Sequence, residues 1–270
     1  MKAVAFDYAR PRDVAEAVQL LAAGGDEAKC MAGAQSLGPM LNLRMVQPKL
    51  IVDLRHIEEL RAAQDAADCV TFGACVTHAE IEDGRVPDPA RGFMREIASN
   101  IAYRAVRNRG TIGGSLAHAD PAADWPSALS LLGATVITAG PGERRNFPIG
   151  KFLTSLFETA LQPGEILVGI RVPRLPARAR RGYWKFCRKT GEFPQAIGAA
   201  LDDPERGLAR AVIGATQGAP YVIEDARSLI KRPNEAMLLD AADSAGLGGD
   251  PYGRKLHAVA LRRAIERLAA

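Results

Sequence analysis

Arg107-Asn108-Arg109-Gly110-Thr111-Ile112-Gly113-Gly114-Ser115-Leu116-Ala117-His118-Ala119-Asp120-Pro121-Ala122-Ala123-Asp124 is the stretch of the sequence that carries the most structural information. It contains a glycine turn from Gly110 to Ser115 that opens a helix-like segment. A second glycine turn lies upstream at Ala32-Gly33-Ala34-Gln35-Ser36-Leu37. Because glycine has no Cβ, the backbone N–H groups of such a turn can approach a phosphate closely. Two such turns predict a long ligand with a pyrophosphate in its middle, held from two sides.

The length and composition are those of a globular protein. A chain of 270 residues with 47% hydrophobic content can bury a core and can form two domains. No apolar run approaches the roughly 20 residues of a membrane span. The apolar part of the N-terminal segment is too short for a signal peptide. We therefore expect a cytoplasmic protein with no membrane span.

Charge and cysteine content exclude several kinds of partner and cofactor. The net charge is +4, but basic and acidic residues are interspersed and the densest basic run is only Arg178 to Arg181. This pattern is typical of a solvated surface, so no nucleic-acid partner is expected. The four cysteines form no Cys-x-x-Cys pair, and the four histidines lack the spacing of metal ligands. We expect no metal site and no iron–sulfur cluster in this chain.

Local patterns divide the chain into three parts. Residues 1–56 are predicted to form a small unit of the β-α-β type, and residues 57–173 a second unit with strands and helices. Pro173 to Pro176 and the basic run after it are predicted to be a linker. Residues 177–270 are predicted to form a small α+β domain that is helical towards its C-terminus.

Capping residues and apolar spacing predict several helices. Asp13 is expected to cap the first helix, and Thr77 with Glu80 is expected to form a capping box. The segment Phe93 to Val106 is predicted to be one amphipathic helix. Asp120-Pro121 is predicted to start another, with aspartate as the N-cap and proline at the first helical position.

Familiar nucleotide and hydrolase motifs are missing. No G-x-G-x-x-G opens the helix after the first strand, and the chain has no G-x-x-x-x-G-K-[ST] phosphate loop. Ser36 and Ser115 do not stand in a G-x-S-x-G elbow. We therefore assign no catalytic residue from the residues themselves.

The segment from Arg107 to Asp124 closely resembles the flavin-binding signature of molybdenum hydroxylases of the xanthine dehydrogenase and aerobic carbon monoxide dehydrogenase types. The resemblance extends along the chain, and the whole sequence is similar to their separate FAD-binding medium subunit. Further matching segments are Ala32 to Leu37, Ile51 to Leu54, Val76 to Ile81, Glu165 to Leu167 and Lys185 to Lys189.

The resemblance implies an α+β fold: a two-part, vanillyl-alcohol-oxidase-like (PCMH-type) FAD-binding domain, residues 1–173, followed by the C-terminal α+β domain, residues 177–270. It implies that Ala32 to Leu37 wraps the FAD pyrophosphate and that Thr111 to Ser115 lies against the ribityl chain and flavin. Asp124 would hydrogen-bond the cofactor, and an aromatic residue near Phe193 would cover one flavin face. The implied cofactor-binding residues are Met31, Ala32, Gly33, Ala34, Gln35, Ser36, Leu37, Ile101, Thr111, Gly113, Gly114, Ser115, Ala117, Asp120, Asp124, Leu167, Lys185 and Phe193.

Two positions depart from the family pattern. Ala34 stands where the family usually has glycine, and an alanine forced to positive φ would cost on the order of 1 kcal/mol. Glu192-Phe193-Pro194 stands where relatives more often have Asp, an aromatic residue and Ala. Because proline lacks an N–H and has a fixed φ, the loop that covers the flavin is expected to differ here.

The resemblance also implies a function and an assembly. The chain would be the FAD-binding electron-transfer subunit of a molybdenum hydroxylase, accepting electrons from two [2Fe–2S] clusters on a small subunit and passing them to an external acceptor. The molybdenum cofactor would reside on a large subunit, and a dimer of heterotrimers is expected. Two alternatives stay open: an autonomous flavoprotein oxidase or reductase of related fold, and a nucleotide-binding scaffold without redox function. Neither the substrate nor the final acceptor follows from the sequence.

Overall fold

The computed structural model describes residues 2–268, so Met1 and the last two residues of the predicted C-terminal domain lie outside it. The N-terminal part contains a small parallel sheet with strand order β1-β3-β2. Its elements are β1 (Asp7–Ala9), α1 (Val14–Gly24), β2 (Ala28–Met31), α2 (Leu37–Asn42) and β3 (Leu50–Asp53). As predicted, the side chain of Asp13 accepts a hydrogen bond from Glu16 N (2.8 Å) and so caps α1. All three strands point the same way, so their carboxyl ends share one edge.

The middle part is built on a five-stranded antiparallel sheet with strand order β4-β5-β10-β6-β7. Its strands are β4 (Ala63–Asp65), β5 (Cys69–Gly73), β6 (Thr135–Ala139), β7 (Arg145–Pro148) and β10 (Ile166–Pro173), and β8 (Leu153–Ser155) pairs with β9 (Glu158–Thr159). Its helices are α3 (Glu58–Arg61), α4 (His78–Glu82), α5 (Phe93–Ser99), α6 (Arg104–Arg107), α7 (Ile112–His118), α8 (Asp124–Leu132) and α9 (Ile149–Phe152).

The C-terminal part is a four-stranded antiparallel sheet with strand order β11-β12-β13-β14. Helix α12 packs on it, joined by α10 and α11. The elements are β11 (Arg180–Phe186), β12 (Ala196–Asp203), β13 (Leu208–Gly214), β14 (Tyr221–Ile223), α10 (Arg227–Lys231), α11 (Glu235–Ala242) and α12 (Pro251–Glu266).

Helix α8 lies between the middle part and the C-terminal sheet. All nine of its residues are buried, and the helix contacts both β12 and β13. Close approach is possible because Gly214 has no side chain; a Cβ there would overlap Ser127 Oγ. One core cluster accordingly contains Trp125 of α8 together with Ile197 and Val212 of the C-terminal sheet.

Two predicted helices differ from those observed. The segment predicted as one helix over Phe93 to Val106 is interrupted between Ser99 and Arg104, so α5 and α6 are separate. Helix α8 begins at Asp124 rather than after Asp120, whose carboxylate instead accepts a hydrogen bond from Ala122 N (2.9 Å). Between α5 and α6 a hydrogen bond from a residue distant in sequence, Lys185 Nζ to Asn100 O at 2.9 Å, replaces the local signal, whereas at Asp120 the competing bond is itself local.

Candidate functional site

The first glycine turn follows β2 and keeps its backbone donors unused. No acceptor among residues 2–268 is bonded to the backbone N–H groups from Gly33 to Leu37. Ala34 has a φ of 61°, the left-handed conformation that directs successive N–H groups towards one side. The Gln35 side chain braces the turn by donating to Gly33 O at 3.0 Å. A row of free N–H groups is what an anionic diphosphate requires.

The second glycine turn has no such row. Its N–H groups are engaged within the protein: Ile112 N donates to Val76 O (3.0 Å), and Gly113 N to Ala74 O (3.0 Å). Thr111 caps α7 by accepting from Gly114 N through Oγ1, also at 3.0 Å. The expectation that both turns offer N–H groups to a phosphate is therefore wrong for the second turn. Among its polar side chains, that of Ser115 is half-buried.

The two turns lie back to back, and this contact explains two of their glycines. A Cβ on Gly33 would overlap the carbonyl oxygen of Arg109, so the first turn rests on the second. A Cβ on Gly113 would lie 2.5–2.6 Å from Ala74. Gly114 is different: its backbone is helical, and a Cβ there would meet the Thr111 hydroxyl at 2.8 Å and the Ala32 methyl at 3.6 Å. Gly114 thus faces Ala32 of the first turn.

A buried histidine supports the second turn from behind. His78 N donates to Gly110 O (2.9 Å), and the imidazole Nδ1 accepts from Trp125 Nε1 (3.1 Å). Burial, together with the positive charge of Arg107, lowers the pKa of His78 to about 3. The ring is therefore neutral at ordinary pH. The capping box of Thr77 and Glu80, as predicted, begins the helix that carries His78.

The predicted site residues Asp124 and Lys185 meet in a buried ion pair. Lys185 Nζ lies 2.8 and 2.9 Å from the two Asp124 oxygens and donates a further hydrogen bond to Asn100 O at 2.9 Å. Tyr183 donates its hydroxyl hydrogen bond to Asp124 Oδ1 (2.8 Å). Burial raises the pKa of Asp124, and the lysine and tyrosine oppose that shift. The pair joins β11 to the start of α8.

The sequence pointed to Asp124 as a hydrogen-bonding partner of the cofactor, and that stays a prediction. Its carboxylate already accepts hydrogen bonds from Tyr183 and Lys185. A carboxylate can accept about four hydrogen bonds, so these partners leave room for a bond from a cofactor. Tyr183 and the Asn100 carbonyl were missed. The alternation of Tyr183 and Lys185 along a strand was an available signal for the tyrosine, because residues two apart share one face. No local signal marks the carbonyl of Asn100.

The other predicted residues are placed around these features. Leu167 is buried beside Val168, whose carbonyl accepts from Ala74 N (3.0 Å) directly behind the second turn. Ile101 is half-buried in the break between α5 and α6. Ala117 is exposed on α7, and Phe193 is 61% exposed on the loop between β11 and β12.

The base of the first turn holds a second buried carboxylate. Asp53 ends β3 opposite Met31 of β2, the residue that leads into the turn. It accepts hydrogen bonds from Tyr8 and from Arg55 (2.8 and 2.9 Å). Although burial opposes it, these bonds lower the pKa of Asp53 to about 2. The carboxylate is ionised and anchors the carboxyl edge of the parallel sheet.

Within residues 2–268, no group of three or more His, Cys, Asp or Glu side chains could hold a metal ion. Helices in the same range are too short or too polar for any one of them to cross a membrane. The features that stand out are therefore the paired turns and the ion pair beside them.

The fold is an α+β FAD-binding domain of the PCMH type followed by a C-terminal domain, and it matches the structures of carbon monoxide dehydrogenase medium chains. The family described as "FAD binding domain in molybdopterin dehydrogenase" matches residues 4–175. The chain belongs to this family, as an FAD-binding medium subunit of molybdopterin dehydrogenases, which are oxidoreductases. The predicted fold class and family are thus confirmed.

Individual relatives agree along the full length. The chain is 34% identical to the 6-hydroxypseudooxynicotine dehydrogenase complex subunit alpha of Paenarthrobacter nicotinovorans, covering 100% of this chain and 95% of that protein. It is 33% identical to the carbon monoxide dehydrogenase medium chain of Afipia carboxidovorans, covering 98% and 97%. A solved carbon monoxide dehydrogenase from Hydrogenophaga pseudoflava superposes with a TM-score of 0.90 at 31% identity, covering 100% and 99%.

Proposed function

We propose that this chain binds FAD noncovalently and serves as the electron-transfer subunit of a molybdenum hydroxylase. It would take electrons from the [2Fe–2S] clusters of a small partner subunit and deliver them to an external acceptor. The molybdenum cofactor would lie on a large subunit, in a dimer of heterotrimers. The observation that carries the proposal is the row of free N–H groups from Gly33 to Leu37, held against the second turn in a chain of this family.

The residues present fit the cofactor. The first turn would hold the diphosphate through backbone N–H groups, with Ala34 in the conformation that aims them. Gly114, which faces Ala32, and the neighbouring Ser115 would lie along the ribityl chain. Bound flavin supplies both two-electron and one-electron chemistry, so the protein needs no acid–base pair of its own. Its part is to bind and orient the cofactor and to limit the access of solvent.

The identity and attachment of the cofactor are tested by release. The purified chain is denatured by heat, and the supernatant is analysed for flavin. FAD in solution, about one per chain, is the expected result. Flavin that stays with the polypeptide, or FMN in the supernatant, would contradict the proposal.

The direction of electron flow is tested by anaerobic bleaching of the flavin absorbance. Substrate of the complex should bleach the flavin after the iron–sulfur and molybdenum subunits have been added, and should leave the lone chain unchanged. The lone chain makes a matched control because it contains the same flavin site. Bleaching in the lone chain would instead identify an autonomous flavoprotein oxidoreductase.

A further inference from the structure

The loop that carries Phe193 has little to hold it in place. It joins β11 to β12; Gln195 N donates to Phe186 O (2.8 Å) at its base, Glu192 N donates to Lys189 O (3.3 Å) within it, and Pro194 is buried. Within the loop, Glu192 attracts Arg188 (3.5 Å) and Lys189 (3.3 Å), both of them exposed. Exposed pairs of this kind stabilise a conformation by little. A contact from outside the loop would therefore add to what holds the segment that precedes Phe193.

Tyr103 of the FAD-binding domain supplies such a contact. Its hydroxyl donates a hydrogen bond to Thr190 O at 2.9 Å. Its ring lies directly on the backbone of Gly191, where φ is +87° and an added Cβ would overlap the ring. The tyrosine is 57% exposed, so burial in the core does not explain its position. Thr190 and Gly191 lie three and two residues before Phe193.

The backbone under Tyr103 is itself fixed. Ala102 has a φ of 43°, and the carbonyls of Ile101 and Ala102 accept hydrogen bonds from Arg107 at 2.9 and 3.2 Å. Arg107 is in turn paired with Glu82 (2.8 Å). The segment between α5 and α6 is therefore a firm base from which the tyrosine reaches the loop.

We propose that Tyr103 is a positioning residue: it clasps the Thr190–Gly191 backbone and so sets the pose of Phe193 at the flavin. This inference rests on the proposed function, because it takes the flavin to lie beside Phe193. Its consequence is that Tyr103 governs the exposure of the flavin to solvent and acceptors without touching the reacting atoms. The hydroxyl and the ring contribute separately, through a hydrogen bond and through packing on glycine.

The first test measures the clasp without the cofactor. Trypsin cleaves after Arg188 and Lys189, and the rate of cleavage in a locally opening loop follows the open population. Removing one neutral hydrogen bond in Tyr103→Phe should raise the rate about five-fold. Tyr103→Ala, which also removes the ring, should raise it about ten-fold or more. Tyr252→Ala removes a tyrosine that is 66% exposed far along the chain on α12, and should leave the rate unchanged.

The second test measures the flavin in the full chain. Phe193→Ala should change the flavin fluorescence and visible circular dichroism, and Tyr103→Ala should reproduce most of that change. The double variant should match Phe193→Ala alone, because residues that act through one another are not additive. Tyr103→Phe should show a smaller change of the same sign.

The outcomes separate the two proposals. Unchanged cleavage in Tyr103→Ala would overturn the clasp. If Tyr103→Ala is cleaved faster but leaves the flavin signal unaltered, while Phe193→Ala alters that signal, the proposed effect of Tyr103 on the flavin would be overturned. A chain that retains no FAD would contradict the proposed function, while the cleavage rates would still decide the clasp.

Discussion

The two glycine turns have similar sequences and different physical roles. In the first, no acceptor in the described part of the chain is bonded to the N–H groups of Gly33 to Leu37, and Ala34 adopts positive φ. In the second, from Gly110 to Ser115, the N–H groups bind the protein, and a glycine is required by the proximity of Ala74. Glycine content therefore does not distinguish a turn that receives a ligand from one that supports it. The distinguishing feature is whether the donors are free.

The largest effect on stability should come from substituting the glycines that pack directly against backbone atoms. Gly113→Ala places a methyl group against the Ala74 backbone, and Gly33→Ala places one on the Arg109 carbonyl. Because backbone cannot yield as a side chain does, each should lower the free energy of unfolding by about 3 kcal/mol or more. Denaturant unfolding of the cofactor-free chain measures this.

Gly114→Ala is the matched control for that pair. Its methyl group meets only the Thr111 hydroxyl and the Ala32 side chain, so the change in unfolding free energy should stay within about 1 kcal/mol. Gly114→Val, whose branched side chain would fill this side, is expected to lose FAD without unfolding the C-terminal domain. A Gly114→Ala variant as unstable as Gly113→Ala would contradict the distinction between glycines packed on backbone and a glycine that faces side chains.

An intermediate effect should appear on acidification, because the two turns have supports that titrate differently. Neutral His78 behind the second turn has a folded pKa of about 3, below its unfolded value, so its contribution to stability is lost as pH falls below about 6.5. The slope is at most about 1.4 kcal/mol per pH unit. Asp53 under the first turn has a folded pKa of about 2, so its contribution persists down to about pH 4 and is lost as pH falls through about 2.

Unfolding experiments between pH 7 and 4 in wild type and His78→Asn check this difference. Asparagine offers an oxygen near the position of Nδ1 for Trp125 and does not titrate in this range. The variant should lose the decline of stability in this window. A wild-type stability that is flat from pH 7 to 4 would rule out the neutral buried histidine.

The smallest effect should come from Ala34, which has a φ of 61°. Ala34→Gly should raise the free energy of unfolding by up to about 1 kcal/mol and tighten FAD binding slightly, because glycine adopts this conformation without strain. Ala22→Gly, on the exposed face of α1, provides the control. There the same change should cost about 0.5–1 kcal/mol. If Ala34→Gly and Ala22→Gly both lowered the free energy of unfolding, strain at Ala34 would be contradicted.

Much of the fold could be predicted from short-range chemistry. The Asp13 cap and the Thr77–Glu80 capping box depend on neighbours in sequence, and both are observed. The break between α5 and α6 could not be predicted, because Lys185 and Tyr103 fix that segment to the C-terminal part. The helical spacing of apolar residues does not predict such contacts.

The sequence predicted which residues belong to the site but did not predict what each of them contacts. The signature located the second turn, yet the backbone of Ala74, which requires Gly113, lies in a segment that carries no signal of its own. The pairing of Asp124 with Lys185 joins residues 61 positions apart, so only the folded chain brings it into view. Free donors in the first turn likewise become recognisable only when all acceptors are placed.

Helix α8 bears on how chains of this kind could recombine. Its nine buried residues face both the middle part and the C-terminal sheet, and Ser127 fits only because position 214 is glycine. A C-terminal segment borrowed from a relative would have to match that surface side chain by side chain. Helix α8, β12 and β13 would therefore have to be exchanged together. A recombination crossover in the connection after β10 would separate α8 from the two strands that it packs against.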